Sequence, residues 1–447
     1  MKGPPVVVMG LDCPTGLQVA RVFAARGIEV IGMAADLGHP CVRTRSCRRL
    51  IGAGRDSESM AAALLDLAEE LEGPAVLVPC SDRAVLAVSR HGAALREHFL
   101  TSIPGLPGIE RLMDKAAFAE FATTCHIPIP VTHVLENRGD AERAARRIPY
   151  PCVLKPALKS VQWDEHAPAK ALLAHSPALL LELFDRHASL ADRFVVQELV
   201  PGEATDHYTC DGYFSARGGP LVLFTSRKLR QWPPLVGQGC ISVEHRNDEV
   251  RRQAVRLFQE AGHHGLGYVE VMWDARAGRY VVIEANVGRP TGRSTAAEKA
   301  GVELLMTMYN DLVGVPLPAQ RIQLYRASRW IYIRRDVQAC VGLLLQRRIT
   351  LLDILRSWRG RFAFAVFSWH DPIPFLADLA RAARTILSAP GQAMAGRNIV
   401  SMPKNPPARL PGVGEVNGDA APARRGVPVT VAALFLLGSL ALGVAFA

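Results

Sequence analysis

Lysine is scarce in this 447-residue chain: eight Lys stand against 44 Arg, under a formal net charge of +10. A bias that strong is compositional, so the positive balance does not by itself argue for nucleic acid. Aromatic residues make up only 6%, which leaves few rings for base stacking and ranks nucleic-acid binding last. The same scarcity singles out each lysine that remains. Cys13, Cys41, Cys47, Cys80, Cys125, Cys152, Cys210, Cys240 and Cys340 stand singly, without a CxxC pair. That spacing excludes a zinc ribbon and a disulfide framework and fits reduced thiols in the cytoplasm. The first turn, Gly10-Leu-Asp-Cys-Pro-Thr-Gly16, lacks the GxGxxG pattern and so argues against a nicotinamide enzyme. The opening MKGPPVVVMGLD lacks the apolar run of about 7 to 15 residues that a secretory signal needs, so the body is expected in the cytoplasm.

What is present is globular. Apolar residues reach 49% and charged residues 21%, and a chain of this length accommodates two or three domains at about 150 residues each. Residues 4 to 110 alternate β-rich runs (PVVVMG, IEVIGM, AVLVPCSD) with helical patterns (GLQVARVFAARG, AALLDLAEELEG). This predicts a Rossmann-like parallel sheet over 1–110, whose ligands sit at the carboxyl ends of its strands. Ile103-Pro-Gly-Leu-Pro-Gly108 reads as a linker. From 111 to 318, strands such as PCVLKP, RFVVQELV and RYVVIEAN alternate with helices, predicting an α+β domain of two subdomains. A basic and aromatic segment follows over 319–387: residues 321 to 361 hold ten Arg against Asp336 and Asp353. Two readings stand side by side, an amphipathic surface lying on anionic lipid and a solvated helical face. Residues 388–426, rich in Pro, Gly and Ala, read as a flexible tether. Residues 427–447 carry no charge and, as a helix at about 1.5 Å per residue, span roughly 31 Å. That length predicts a transmembrane helix, with Arg424 and Arg425 keeping the body on the cytoplasmic face of the inner leaflet. The alternative is a C-terminal helix packed on the protein itself.

The residues that carry chemistry cluster in the middle of the chain. GYVEVMWD and RYVVIEANVGRP form a hairpin through Ala275 to Gly278, which brings Glu270 and Glu284 onto one face, with Asn286 beyond. Two carboxylates and an amide oxygen are hard ligands suited to Mg²⁺ bound with substrate phosphates. An apolar strand has no packing reason to hold them otherwise. Lys115, Lys155 and Lys228 lie at the ends of apolar segments and are candidate phosphate contacts. The strand Phe194–Val200 breaks at Pro201-Gly202 and leaves backbone groups at Gln197, Glu198 and Val200 to meet a purine edge.

This order of parts resembles the ATP-grasp superfamily, most closely its carboxylate–amine ligase branch. The resemblance covers about residues 5 to 318, and the stretch 321–376 looks like the same branch. It implies that Lys115 and Lys155 hold ATP phosphates, that Gln197, Glu198 and Val200 line the adenine, and that Glu203 or Asp206 meets the ribose. Glu270, Glu284 and Asn286 would bind two Mg²⁺, with Mn²⁺ as a substitute. Lys228 and Arg289 would meet the transferred phosphoryl group or the substrate carboxylate. Here Glu284-Ala-Asn286-Val-Gly-Arg289 has one residue more than the family's E-x-N-x-R, leaving Arg289 or Arg293 for that role. The loop after Lys155, ALKSVQW, also lacks the family's glycines. The implied activity is ATP-dependent joining of a small carboxylate, activated as an acyl phosphate, to an amine, and the expected membrane anchor points to a cell-envelope precursor as its substrate. The alternative is a membrane-tethered, non-catalytic ATP-binding module. A homodimer is the default assembly.

Overall fold

The computed structural model describes residues 3–388, apart from 168 and 234–236. The first sheet is fully parallel, in the order β3-β2-β1-β4-β5, from β1 (Val6–Met9), β2 (Val30–Ala34), β3 (Arg49–Gly52), β4 (Ala75–Pro79) and β5 (Phe99–Leu100). β1, β2 and β4 are buried throughout, as continuous apolar runs are when helices cover both faces. The strand order reverses between β1 and β4, so the turns after these two strands flank the crevice where such sheets take ligands. Two glycines make the first turn feasible without a GxGxxG pattern. Gly10 sits at φ +96°, and a Cβ on Gly16 would lie 2.3 Å from the Gly10 carbonyl oxygen.

The expected linker at 103–108 is shorter than the sequence suggested. Gly105 caps a helix over Leu106–Met113, with Pro107 inside its first turn, where a missing N–H costs nothing. Asp114 then starts a second helix, Lys115–Thr124, by accepting hydrogen bonds from the Ala116 and Ala117 amides.

The second sheet is antiparallel, in the order β6-β9-β7-β8, from β6 (Thr132–Leu135), β7 (Cys152–Pro156), β8 (Leu172–Ala174) and β9 (Phe194–Glu198). The third has seven strands in the order β14-β13-β10-β11-β12-β15-β16. They are β10 (His207–Phe214), β11 (Pro220–Trp232), β12 (Gln238–Glu244), β13 (Gly265–Asp274), β14 (Arg279–Val287), β15 (Arg329–Ile331) and β16 (Phe362–Phe364).

The last two strands place the basic segment inside the fold. β15 pairs with β12, and β16 runs parallel to β15. Trp330, Phe362, Phe375 and Leu379 share one buried core with Val6 of the first sheet, Leu17 and Phe23 of the helix Pro14–Ala25 that follows it, and Tyr213 and Ile241 of the third sheet. Polar contacts tie the same parts together. Arg21 bridges to Asp371 at 3.0 Å and donates to the Val366 carbonyl at 2.7 Å, and the Trp330 indole donates to the Gln18 amide oxygen at 2.8 Å.

Among the described residues no helix is long and apolar enough to cross a membrane. The tether expected beyond 388 and the transmembrane helix expected over 427–447 lie outside the described residues.

Candidate active site

The ends of β1, β2 and β4, the second sheet and one face of the third sheet enclose a cleft of about 2690 Å³. Single small-molecule pockets run to about 300–1,000 Å³, so this one has room for a nucleotide and further reactants together.

Five of the eight lysines, Lys115, Lys155, Lys159, Lys170 and Lys228, line it. Lys155, on β7, donates to the Gln197 amide oxygen on β9 at 2.9 Å. Burial above all, with Lys115 beside it, pushes the Lys155 ammonium down to about 8, Glu284 working the other way. Burial also lowers Lys115, Lys170 and Lys228. Lys159 and Lys170 were not among the named phosphate contacts, although the scarcity of lysine marked them as well. Lys159 stands in the loop expected to be glycine-rich. The short helix Val161–His166 that follows is anchored by buried Trp163, packed edge-on against Phe194, and by an ion pair between Arg83 and Asp164.

Opposite the lysines stand the carboxylates. β13 and β14 pair antiparallel with Glu270 directly across from Glu284, and the register slips by one immediately beyond, so that Val271 faces Val282. The slip is decisive for the chemistry. Val282 points into the core with Val269, Val271, Ala285 and Val287. Strict alternation would have sent Glu284 the same way. The extra residue, Ile283, reverses the phase and turns Glu284 and Asn286 to the cleft, where both line the wall with Glu270, Tyr268 and Met272. Asn286 donates to Glu284 at 3.1 Å. Glu270 accepts from Arg293 at 3.2 Å; burial works to raise its carboxyl, but Arg293 and Lys228 prevail and lower it.

The two arginines divide their work. Arg289 reaches three partners: the Asp82 carboxylate at 2.5 Å, the Tyr268 hydroxyl at 2.7 Å and the Asn286 amide oxygen at 2.7 Å. Arg293 binds Glu270 and the Thr209 hydroxyl at 2.8 Å. Both therefore border the carboxylate face, Arg289 on the first-domain side and Arg293 over the middle of the third sheet. Near Arg293 lies Asp211 on β10, which the sequence did not reveal. Both its carboxylate oxygens are buried without a hydrogen-bond partner, and burial, with Glu270 adding and Arg293 opposing, pushes it up to about 7. His207, at the start of the same strand, lines the cleft and is held neutral, down to about 3, by burial and by Lys228 and Arg293.

The hinge after β9 differs in detail from expectation. The Glu198 amide donates to the Val131 carbonyl, so its backbone N–H is not open to a purine, and its carboxylate accepts from Arg276 at 2.5 Å. The Gln197 side chain is taken by Lys155 and by Thr132, to which it donates at 3.1 Å. Val200 joins Met272, Val281 and Ile283 in a small apolar cluster, and Val200, Met272 and Ile283 line the cleft. Asp206 accepts from the Glu203 amide at 2.8 Å, and the exposed Glu203 carboxylate pairs with Arg348 at 2.8 Å. All thirteen residues marked in the sequence, Arg293 included, line this one cleft.

These three sheets and their shared cleft form an ATP-grasp fold. N5-carboxyaminoimidazole ribonucleotide synthetase, solved as an ADP complex, has a similar structure with a TM-score of 0.59 and 15% identity, over 78% of this chain and 85% of that one. An L-amino acid ligase from Bacillus licheniformis superposes with a TM-score of 0.54 and 16% identity, over 73% of this chain and 78% of its own. In sequence, the chain is 22% identical over 230 residues to the D-aspartate ligase of Enterococcus faecium (strain Aus0004). That match covers 49% of this chain, and the chain spans about half, 54%, of the relative's length. No family model matches the chain.

Proposed function

We propose that the protein is an ATP-dependent carboxylate–amine ligase. The observation that carries this reading is the cross-strand pair Glu270 and Glu284, turned with Asn286 into a cleft whose other wall is lysine. Three hard oxygen donors on one face fit Mg²⁺, and its chemistry there would be neutralisation of polyphosphate charge and polarisation of the transferred group. Lys115, Lys155 and Lys159 supply fixed positive charge for the phosphates of ATP. The apolar surface of Val200, Met272 and Ile283 is suited to the adenine ring. Glu203 and Asp206 border the ribose end, where Glu203 must exchange its Arg348 partner to contact a hydroxyl.

Lys228 and Arg293 hold the substrate carboxylate, and Arg289 borders the developing phosphoryl charge. A carboxylate oxygen attacks the γ-phosphorus and ADP leaves. The amine then attacks the acyl carbon, phosphate departs, and the amine gives up one proton. No side-chain nucleophile is required, and the protein acts by position and charge. The complete donor set speaks against a binding module without catalysis, because a site that no longer carries out the chemistry is free to lose its metal ligands.

The test is to supply the full chain with Mg-ATP, a panel of carboxylates that includes both enantiomers of aspartate, and hydroxylamine as the amine. Hydroxamate formed with one carboxylate, in step with ADP, supports the reading. Tight Mg-ATP binding without hydroxamate from any carboxylate in the panel, or ADP release from water attack alone, overturns it.

A further inference from the structure

The arginine-rich stretch divides in two. Its first part is built into the fold: β15 extends the third sheet, Arg334 pairs with Asp378 at 2.9 Å, and the helix Ile333–Leu345 is pinned by a buried Arg230–Asp336 ion pair at 2.7 Å. Its second part, residues 343–361, runs from the last turn of that helix through a connecting turn into the helix Leu351–Ser357, of which Ile354 alone is buried.

Four leucines stand out from this second part, with 73% of Leu345, 69% of Leu351, 51% of Leu352 and 55% of Leu355 exposed. At 100° per residue, positions 351, 352 and 355 share an arc of about 100° on one helix face, and Ile354 lies on the inward side. The face is preformed. Thr350 and Asp353 make a reciprocal cap at its start, and Arg329 reaches across to donate to the Ser357 carbonyl at 2.7 Å and the Arg356 carbonyl at 3.1 Å at its end. Around the leucines lie Arg347, Arg356, Arg359 and Arg361, with Arg348 paired to Glu203, against Asp353, whose carboxylate is used in the cap. The turn also borders the cleft, which Leu343, Gln346, Arg347, Arg348 and Ile349 line.

We propose that residues 343–361 dock on an anionic bilayer surface, with the four leucines at the acyl boundary and the flanking arginines on headgroup phosphates. An apolar stripe flanked by arginine is the composition that lies in such an interface. A second copy of the chain would bring Arg347, Arg356, Arg359 and Arg361 face to face with their counterparts, which repels; a negative surface neutralises them. The same chain carries 21 uncharged residues over 427–447, a sequence suited to the same environment. Docking at this turn places the mouth of the cleft beside the bilayer. The inference stands independently of the ligase reading.

The test measures amide hydrogen exchange and bound fraction for the full chain with unilamellar vesicles of phosphatidylcholine alone or mixed with phosphatidylglycerol. Any binding through the uncharged run 427–447 does not depend on headgroup charge, so the quantity read is the difference between the two vesicles. Exchange over 343–359 is expected to slow at least tenfold with the anionic vesicles only, and to recover in high salt. The double variant Leu351→Glu/Leu355→Glu should abolish that difference while exchange elsewhere is unchanged, and Leu37→Glu, an exposed leucine of the first domain, should not. Equal exchange with both vesicles overturns the proposal. So does protection over 343–359 without lipid, which would assign the leucines to a second copy if it grows with protein concentration and to the chain's own tail if it disappears on deleting 427–447.

Discussion

Asp82, at the start of the helix Asp82–Arg90 in the first domain, meets Arg289, just past the end of β14, with 2.5 Å between Oδ1 and Nε. Burial alone would raise the Asp82 carboxyl, but Arg289, Lys159 and Lys115 hold it down at about 2, so it stays charged throughout the working range. The pair connects the two sides of the cleft and aims the guanidinium whose other donors bind Tyr268 and Asn286.

Asp82→Asn keeps the volume and removes the charge. Asp82 is 36% exposed along its side chain, so the stability cost is about 1 kcal/mol, read from denaturant unfolding. The effect on chemistry is expected to be larger. Arg289 loses one of three restraints, and misplacing a reacting group costs about 100-fold. ADP release under saturating substrates should fall by that order with the melting temperature little changed, and an unchanged rate would show that the pair serves only to join the domains.

Glu284→Gln tests the metal face. Glu284 is on the cleft wall rather than in the core, so the variant should fold and melt as the parent does. Loss of one of two carboxylates removes the charge that holds a divalent cation against polyphosphate. Mg-dependent turnover should become undetectable, and full activity would remove Glu284 from the metal site.

The lysines and the E…E-x-N strands were legible because they depend on local features, an apolar run with a polar end and a hairpin of short separation. The hairpin brings the two strands together, but its own register would set Glu270 opposite Ile283, and the pairing with Glu284 needs the extra residue. The role of Ile283 was not legible, since VVIEAN does not reveal which residue bulges, and only the core packing of Val282 decides it. Contacts between distant segments were hidden for the same reason: Ser242 and Trp330 pair across strands, and Arg21 meets Asp371, with no local pattern to announce either. The segment 319–387 therefore read as a basic surface, against lipid or solvent, whereas its apolar residues complete the core shared by the first and third sheets.

That integration has a measurable consequence at Arg230 and Asp336. Their side chains are 7% and 1% exposed and meet through two hydrogen bonds, 2.9 and 2.7 Å, while Asp336 also accepts from the Trp358 indole at 2.7 Å. Arg230→Met leaves a buried carboxylate without its counter-ion, which costs about 3–5 kcal/mol. Pairing it with Asp336→Leu should recover much of the loss in the same unfolding measurement. If Arg230→Met were neutral, the helix Ile333–Leu345 would not be held by this contact.

Lys155 gives the pH dependence. Its folded value of about 8 lies below the ordinary lysine value of 10.5, so near pH 7 the ammonium is charged and above 8 it is progressively neutral. A polyphosphate bound beside it favours the charged form and raises its pKa, so binding above pH 8 must draw a proton from solvent. Nucleotide affinity is therefore expected to be flat from pH 6.5 to about 7.5 and to fall above 8, approaching about tenfold per pH unit until the lysine value in the complex is reached. Calorimetric titration in two buffers of different ionisation enthalpy reads the proton uptake directly. In Lys155→Met, affinity should be weaker at pH 7 and lose its dependence over this range. Persistence of the same slope in that variant would assign the titration to Lys115 or another of the cleft lysines.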